Sequence, residues 1–235
     1  MKKALLSVAA VSMILLCIVS PSAATDKVLD VNQAPVVREV PVTPDVLVSQ
    51  APNQVNGLFS DTGCIICTSG VQLIADNFVV STGGLGVDLA QVTIWGGRYP
   101  GNSAWPGDSF ELYIMQNSGG VPGASVCSYT ITPAANQTGV VLFGVNEYQI
   151  DFVLPTTCTL ADGTYWLLTY TDTSGSADDF FWETGNLDAV NGVAGSVWAP
   201  EPPFPTVWNS DAATDLSFQI QGAIVPVELQ SLSVE

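Results

Sequence analysis

Alternation of apolar and polar residues with a period of two recurs along the chain from about residue 70. The clearest case is Ser109–Gln116, where alternate positions carry Phe110, Leu112 and Ile114. Successive side chains of a strand point to opposite faces of a sheet. This alternation therefore predicts a strand with one apolar face and one mixed face.

Eight further segments are rich in apolar and β-branched residues and are separated by turn residues such as Pro122-Gly123 and Asp162-Gly163. They are Val71–Val80, Val87–Trp95, Ser125–Thr132, Gly139–Phe143, Tyr148–Leu154, Thr164–Thr171, Phe180–Glu183 and Leu216–Gln221. No segment combines a helical period with capping residues. Many short strands at regular spacing predict an all-β fold, an antiparallel β-sandwich of jelly-roll-like type.

The first 24 residues are typical of a secretory signal peptide. Lys2 and Lys3 precede the apolar run Ala4–Val19, and the small residues Ser22-Ala23-Ala24 follow it. The run is shorter than the roughly 20 residues that span a bilayer, so we expect cleavage after Ala24 and export. Cys17 leaves a lipoprotein anchor as an alternative, although Leu16 stands where such signals carry a small residue.

Residues 25–56 differ in composition from the rest of the chain. They contain four prolines and no glycine or aromatic residue, which predicts an extended N-terminal segment. Within it, Val46-Leu47-Val48 is a candidate for a strand at a sheet edge. We assign residues 57–222 to the β-sandwich domain and residues 223–235 to a short C-terminal tail.

The charge balance is strongly acidic. The net charge is −17, and only Lys27, Arg38 and Arg98 remain as cations after the predicted cleavage, against 22 acidic residues. Nucleic acids and anionic membranes are bound through basic surfaces, so neither is an expected partner. The acidity indicates either a soluble, dispersed exported domain or binding of divalent cations.

Four cysteines lie beyond the predicted cleavage site, and an even number in an exported chain predicts disulfides. Three pairings are possible. We favour Cys64–Cys67, which is local, and Cys127–Cys158, which joins two predicted strands. A redox motif or half of a zinc site at Cys64–Cys67 is an alternative, but the thioredoxin-like context and the histidine ligands of such sites are missing.

Several core-strand segments occur in a familiar order: Ala75–Phe78, Val92–Gly97, Asp108–Ile114, Leu160–Trp166, Phe181–Thr184 and Asp215–Gly222. This order resembles a widespread group of secreted bacterial β-sandwich, jelly-roll-like domains that often stand beside surface-sorting tails. The resemblance covers roughly residues 70–222. It implies a sandwich fold and an extracellular location, and it supplies no catalytic residues.

The residue types restrict the chemistry. The chain has no histidine, which excludes Ser-His-Asp and Cys-His catalysis. Paired carboxylates could still hydrolyse glycosides, and Asp178, Asp179 and Glu183 are the candidates that the sequence offers. Other acidic residues fall in turns or at strand ends, where we expect solvated groups that titrate normally: Asp108, Asp162, Asp188 and Asp211.

The segment from Asp172 to Asp179 has the composition of a calcium-binding loop, with Asp172, Asp178 and Asp179 as oxygen ligands. Calcium prefers such hard ligands, although the segment does not match an EF-hand because Ala177 stands where that loop needs glycine. The alternative is an acidic turn that is simply solvated. Apart from this possible calcium ion, no cofactor is expected.

Tryptophan and tyrosine residues beside loops are candidates for stacking on sugar rings. Five qualify: Trp95, Tyr99, Trp105, Trp198 and Trp208. The alternative is that they cap the ends of the sandwich. Trp166 and Trp182 lie within predicted strands, where we expect core positions.

These observations favour a non-enzymatic extracellular or cell-surface domain with a structural or adhesive role. A carbohydrate-binding module that uses loop aromatics, with or without calcium, is the first alternative, and a carboxylate-based glycoside hydrolase is the second. Partners would be polysaccharides or other surface proteins. Exposure of Trp95, Tyr99 and Trp105 on one face would favour sugar binding, whereas burial of all three would favour the structural role.

Overall fold

Two antiparallel β-sheets make up the computed structural model, which describes residues 44–68, 70–186, 196–199, 208–211 and 213–225. The described part contains no helix. The predicted all-β sandwich is therefore confirmed. The predicted signal peptide, residues 25–43 and most of the predicted tail lie outside the described residues.

Fourteen strands are described. They are β1 (Asp45–Gln50), β2 (Pro52–Phe59), β3 (Leu73–Val80), β4 (Val87–Tyr99), β5 (Phe110–Asn117), β6 (Pro122–Ile131), β7 (Ala134–Leu142), β8 (Val145–Leu160), β9 (Gly163–Thr171), β10 (Asp179–Gly185), β11 (Ser196–Ala199), β12 (Asn209–Asp211), β13 (Asp215–Leu216) and β14 (Phe218–Ile224).

The first sheet is built around the long strand β4. Strands β14 and β10 pair with successive parts of one edge of β4, and β8 pairs with its other edge. β1 then pairs with β14, β2 and β13 with β10, and β7 with β8. The second sheet has the order β12-β11-β3-β9-β5-β6.

The main hydrophobic core lies between the two sheets. In β5, Phe110, Leu112 and Ile114 are fully buried in this core, as the alternation in the sequence predicts. Met115, on the opposite face of β5, packs in a second cluster with Trp166. Inward and outward positions therefore follow the period of two along the strand.

Strands β1 and β2 show that part of the predicted N-terminal segment belongs to the first sheet. Residues Val46–Val48 lie in β1, which among the described strands pairs with β14 alone and stands at the end of the sheet order. Pro52 is the first residue of β2, a position at which proline can be accommodated in a strand.

Both predicted disulfides are present. Cys127 of β6 and Cys158 of β8 join the second sheet to the first, with a Cα–Cα distance of 6.1 Å. Cys64 and Cys67 close a local loop after β2, with a Cα–Cα distance of 5.4 Å.

In the described ranges, no helix is long and apolar enough to cross a membrane.

Candidate functional site

The loops at one end of the sandwich are joined by buried carboxylates. Asp61 follows β2 and is completely buried. Its carboxylate accepts hydrogen bonds from the backbone N–H of Gly63 (2.7 Å), from the N–H and hydroxyl of Thr173 (3.1 and 2.5 Å) and from the N–H of Phe180 (2.9 Å). A single side chain therefore holds the loop after β2, the loop after β9 and the start of β10 together.

Asp179 holds the disulfide loop in a similar way. Its two carboxylate oxygens accept hydrogen bonds from the backbone N–H groups of Ile65 (2.8 Å) and Ile66 (3.1 Å). These two residues lie between Cys64 and Cys67, and their side chains are exposed. The loop is consequently attached to the sandwich through its backbone and not through its apolar side chains.

Asp178 connects to a different loop. Its carboxylate accepts hydrogen bonds from the N–H groups of Gly101 and Ser103, the latter at 2.9 Å. Asp172 is exposed and accepts a local hydrogen bond from the Ser174 N–H, at 2.9 Å. The expectation of a solvated acidic turn is therefore wrong for Asp178 and Asp179, because both are buried.

The three carboxylates predicted to bind calcium thus serve separate sets of hydrogen bonds. Within the described ranges, no group of three or more histidine, cysteine, aspartate or glutamate residues could hold a metal ion. Calcium binding through Asp172, Asp178 and Asp179 stays a prediction.

Arg98 is the one lysine or arginine in the part of the chain that the structure describes. It is buried and forms an ion pair with Asp108. Burial raises the pKa of Asp108, although the Arg98 charge and hydrogen bond oppose this. A pocket of about 390 Å³ lies beside the pair, with lining residues that include Arg98, Ser103, Asp108, Asp172, Thr173 and Ser176.

Asp108 and Asp162 correct the expectation that turn carboxylates titrate normally. Asp162 is exposed, as expected, but it accepts hydrogen bonds from the hydroxyl and N–H of Thr82 (2.5 and 2.8 Å) and from the N–H of Gly84 (2.8 Å). These bonds favour the charged form and lower the pKa of Asp162. The side chains of Asp188 and Asp211 lie outside what is described.

The aromatic residues proposed for sugar binding separate into different environments. Trp95 and Tyr99 alternate with core residues of β4, so both project from the outer face of the first sheet, and both are half-buried. Trp105 instead packs against the core, with ring centroids 5.9 Å from Phe110 and 5.3 Å from Tyr148. The three residues do not form one exposed platform.

The remaining tryptophans follow the expectations for core and cap positions where they are described. Trp166 and Trp182 are almost completely buried, as predicted. Trp208 is half-buried and packs against the second hydrophobic cluster. Trp198 lies in β11, and its side chain is outside the described part.

An aromatic pocket of about 220 Å³ opens on the outer face of the first sheet. We call it the outer-face pocket, and its lining residues are Asn56, Gly57, Phe59, Tyr99, Phe143 and Phe181. Of the candidate aromatics whose side chains are described, Tyr99 is the one that lines it. The three other aromatic residues of the pocket are Phe59 of β2, Phe181 of β10 and Phe143 of the turn between β7 and β8. The sequence could not group them because they come from separate parts of the chain.

The ring of Phe181 depends on glycines in the two neighbouring strands. Phe181 pairs with Phe59 of β2 on one side and with Gly97 of β4 on the other. A Cβ atom at Gly97 would lie 2.9 Å from the Phe181 ring, and one at Gly57 would overlap the ring. Both positions therefore require glycine if the ring is to lie there.

Phe143 reaches the pocket through an unfavourable backbone conformation. Phe143 and Gly144 form the two-residue turn of the β7–β8 hairpin, with φ angles of 54° and 84°. The first position of such a turn favours Asn, Asp or Gly, and a bulky residue with positive φ is rare. The Phe143 ring is 49% exposed and packs edge-on against Phe181 at 5.9 Å.

Two glutamates lie beside one another on the same face, and the sequence did not identify this pair. Glu147 of β8 and Glu183 of β10 are both buried, and their carboxyl groups lie close enough to interact. Burial, followed by the interactions with Glu147, raises the pKa of Glu183 to about 8, and a hydrogen bond from the Gln54 N–H (2.7 Å) opposes the shift.

Comparison of the chain with protein-family models, with curated proteins and with solved structures finds no match.

Proposed function

We propose that this protein is a non-enzymatic extracellular or cell-surface β-sandwich module with a structural or adhesive role. The observation that carries the proposal is the use of the loop-end carboxylates, Asp61, Asp178 and Asp179. Each is buried, and each accepts hydrogen bonds from backbone N–H groups of adjacent loops. Charge-assisted bonds of this kind are among the stronger ones in proteins, so they hold the loops in one conformation.

The buried pair Glu147 and Glu183 supports the same role. Glycoside hydrolysis needs two carboxyl groups about 5–10 Å apart with substrate between them. Glu147 and Glu183 interact with each other and are almost completely buried, so a sugar substrate cannot reach between them. Their geometry fits a structural pair better than a catalytic one.

The extracellular location is supported by the two disulfides, because disulfides persist in oxidising compartments. Kinship with the secreted bacterial sandwich group is part of the same proposal. Mass spectrometry of the secreted protein tests export, with Thr25 expected as the first residue. A diacylated Cys17 at the N-terminus would contradict cleavage after Ala24.

A turnover assay tests the non-enzymatic role. The secreted protein is incubated with polysaccharides and chromogenic glycosides between pH 4 and pH 8, beside the variants Asp178→Asn and Glu183→Gln. We expect no turnover by any of the three proteins. Turnover by the wild type that disappears in one variant would overturn the proposal and identify the catalytic group.

A further inference from the structure

We infer that the outer-face pocket is a binding site for a neutral sugar, with one pyranose ring seated between the aromatic side chains. This inference makes the proposed adhesive role specific by naming the ligand class. The inference rests on the proposed function in one respect, which is that the sugar is bound without being hydrolysed.

The walls of the pocket have the chemistry that the C–H faces of a pyranose require. Phe59, Tyr99 and Phe143 surround the Phe181 ring, with Phe59 and Tyr99 centroids 6.4 Å apart and Phe143 and Phe181 centroids 5.9 Å apart. Ligand sites are commonly apolar concavities with a few polar groups that set orientation. Here the polar groups are the exposed amide side chain of Asn56 and the hydroxyl of Tyr99.

The backbone conformation of Phe143 is a second, independent indication of a site. An asparagine at this turn position would adopt the positive φ of 54° more readily. The chain instead places a phenyl ring there and leaves it 49% exposed beside the pocket. Backbone strain of this kind is concentrated at functional positions.

The position of the pocket in the sheet argues against a peptide as the occupant. Extended peptides bind by adding a strand to a free sheet edge. The floor of the pocket lies on β10 and the end of β4, and β10 is already paired with β2 on one side and with β4 on the other. A peptide lying over this floor would find the backbone of β10 already paired on both sides, whereas a sugar needs no backbone partners.

The charge of the protein selects against anionic ligands. The net charge is −17, and the pair Glu147 and Glu183 occupies the same sheet face as the pocket. The described residues contain one cation, Arg98, which is buried and paired with Asp108. An acidic glycan, a nucleic acid or an anionic lipid surface would therefore be repelled, and an uncharged saccharide would not.

The test is saturation-transfer NMR and calorimetry on the secreted protein with five neutral oligosaccharides: cellohexaose, laminarihexaose, mannohexaose, xylohexaose and chitohexaose. The decisive variant is Phe143→Asn, which removes the ring and suits the turn, so the fold is retained. The matched control is Val141→Ala on the same hairpin, which removes an exposed apolar side chain that does not line the pocket. Circular dichroism verifies folding of both variants.

We expect at least one oligosaccharide to bind, with affinity reduced at least tenfold in Phe143→Asn and unchanged in Val141→Ala. Phe143→Tyr should keep binding. Absence of binding to all five saccharides, or equal binding by Phe143→Asn, would overturn the site. Hydrolysis of a bound saccharide would leave the site in place and overturn the non-enzymatic role, so the two failures are distinguishable.

Discussion

Glu147 and Glu183, which lie on different strands of the first sheet, have buried carboxyl groups that interact with each other. No N–H or hydroxyl group in the described part of the chain donates to Oε1 of Glu147 or to Oε2 of Glu183. A hydrogen bond between two carboxyl groups needs a proton on one of them. The pair is consequently satisfied when it carries one proton and repulsive when it carries none.

This pair predicts that the folded state loses stability as the pH rises. The pKa of Glu183 is raised to about 8 in the fold, above its ordinary value of 4.5, so the folded state binds more protons between these pH values. The contribution of protonated Glu183 to the free energy of unfolding is fully present below pH 4.5 and is lost as the pH rises through 8. Glu183→Gln should remove this dependence and be more stable than the wild type at pH 8, on the order of 2 kcal/mol.

Urea unfolding between pH 5 and pH 9 measures this effect, with Asp45→Asn, an exposed carboxylate on β1, as the control. Asp162 and Asp172 have lowered pKa values. The stability that these two carboxylates contribute is present above their ordinary pKa and is lost in the acid range. They therefore do not obscure the loss of stability that Glu183 causes as the pH rises toward 8. Parallel pH profiles for wild type and Glu183→Gln would contradict the prediction.

The loop-end carboxylates predict a strong dependence of stability on Asp179. Asp179→Ala leaves the N–H groups of Ile65 and Ile66 without their acceptor, and each such loss costs about 1–3 kcal/mol when the group stays buried. Asp172→Ala, at an exposed site with one local bond, should change the unfolding free energy by less than about 1 kcal/mol. Equal effects of the two substitutions would show that Asp179 does not hold the loop.

The two disulfides should contribute unequally. Cys127–Cys158 closes a separation of 31 residues and links the two sheets, so its removal in a double Cys→Ala variant should cost about 3–4 kcal/mol. Cys64–Cys67 closes a separation of 3 and should contribute about 2 kcal/mol. Non-reducing peptide mapping verifies the pairing, and recovery of free thiols from the denatured native protein would contradict it.

Calcium binding is tested by melting the protein in millimolar calcium and in chelator. A ligand that binds only the folded state stabilises it by mass action, so binding at Asp172, Asp178 and Asp179 should raise the Tm, and Asp178→Ala should remove the rise. Identical melting curves for the wild type in both solutions would eliminate the calcium site.

The strands of the core could be predicted from sequence because burial imposes a local pattern. Residues of β5 that face the core alternate with those that do not, and the period of two is visible without any partner strand. β8 shows the limit of this approach. The sequence predicts a strand over Tyr148–Leu154, but the strand extends from Val145 to Leu160. The polar pair Asn146-Glu147 on one side and the exposed Pro155-Thr156-Thr157 on the other interrupt the apolar alternation in the sequence.

The sequence left three cysteine pairings open. The short spacing of Cys64 and Cys67 and the strand positions of Cys127 and Cys158 favoured the pairing that the structure has. The sequence could not show which individual carboxylates are exposed to solvent. Asp178 and Asp179 have the composition of an exposed turn, and their burial depends on which distant loops fold over them.

What the sequence by itself determined is the class of fold, the strands with a clear alternation, the expectation that the four cysteines form disulfides and the absence of histidine chemistry, because each depends on local pattern or composition. What only the tertiary structure decided is which side chains meet. Phe59, Tyr99, Phe143 and Phe181 form one pocket, and Glu147 reaches Glu183, because strand order brings β2, β10, β4 and β8 side by side. Strand order is set by the summed packing of both sheets, and no short segment encodes it.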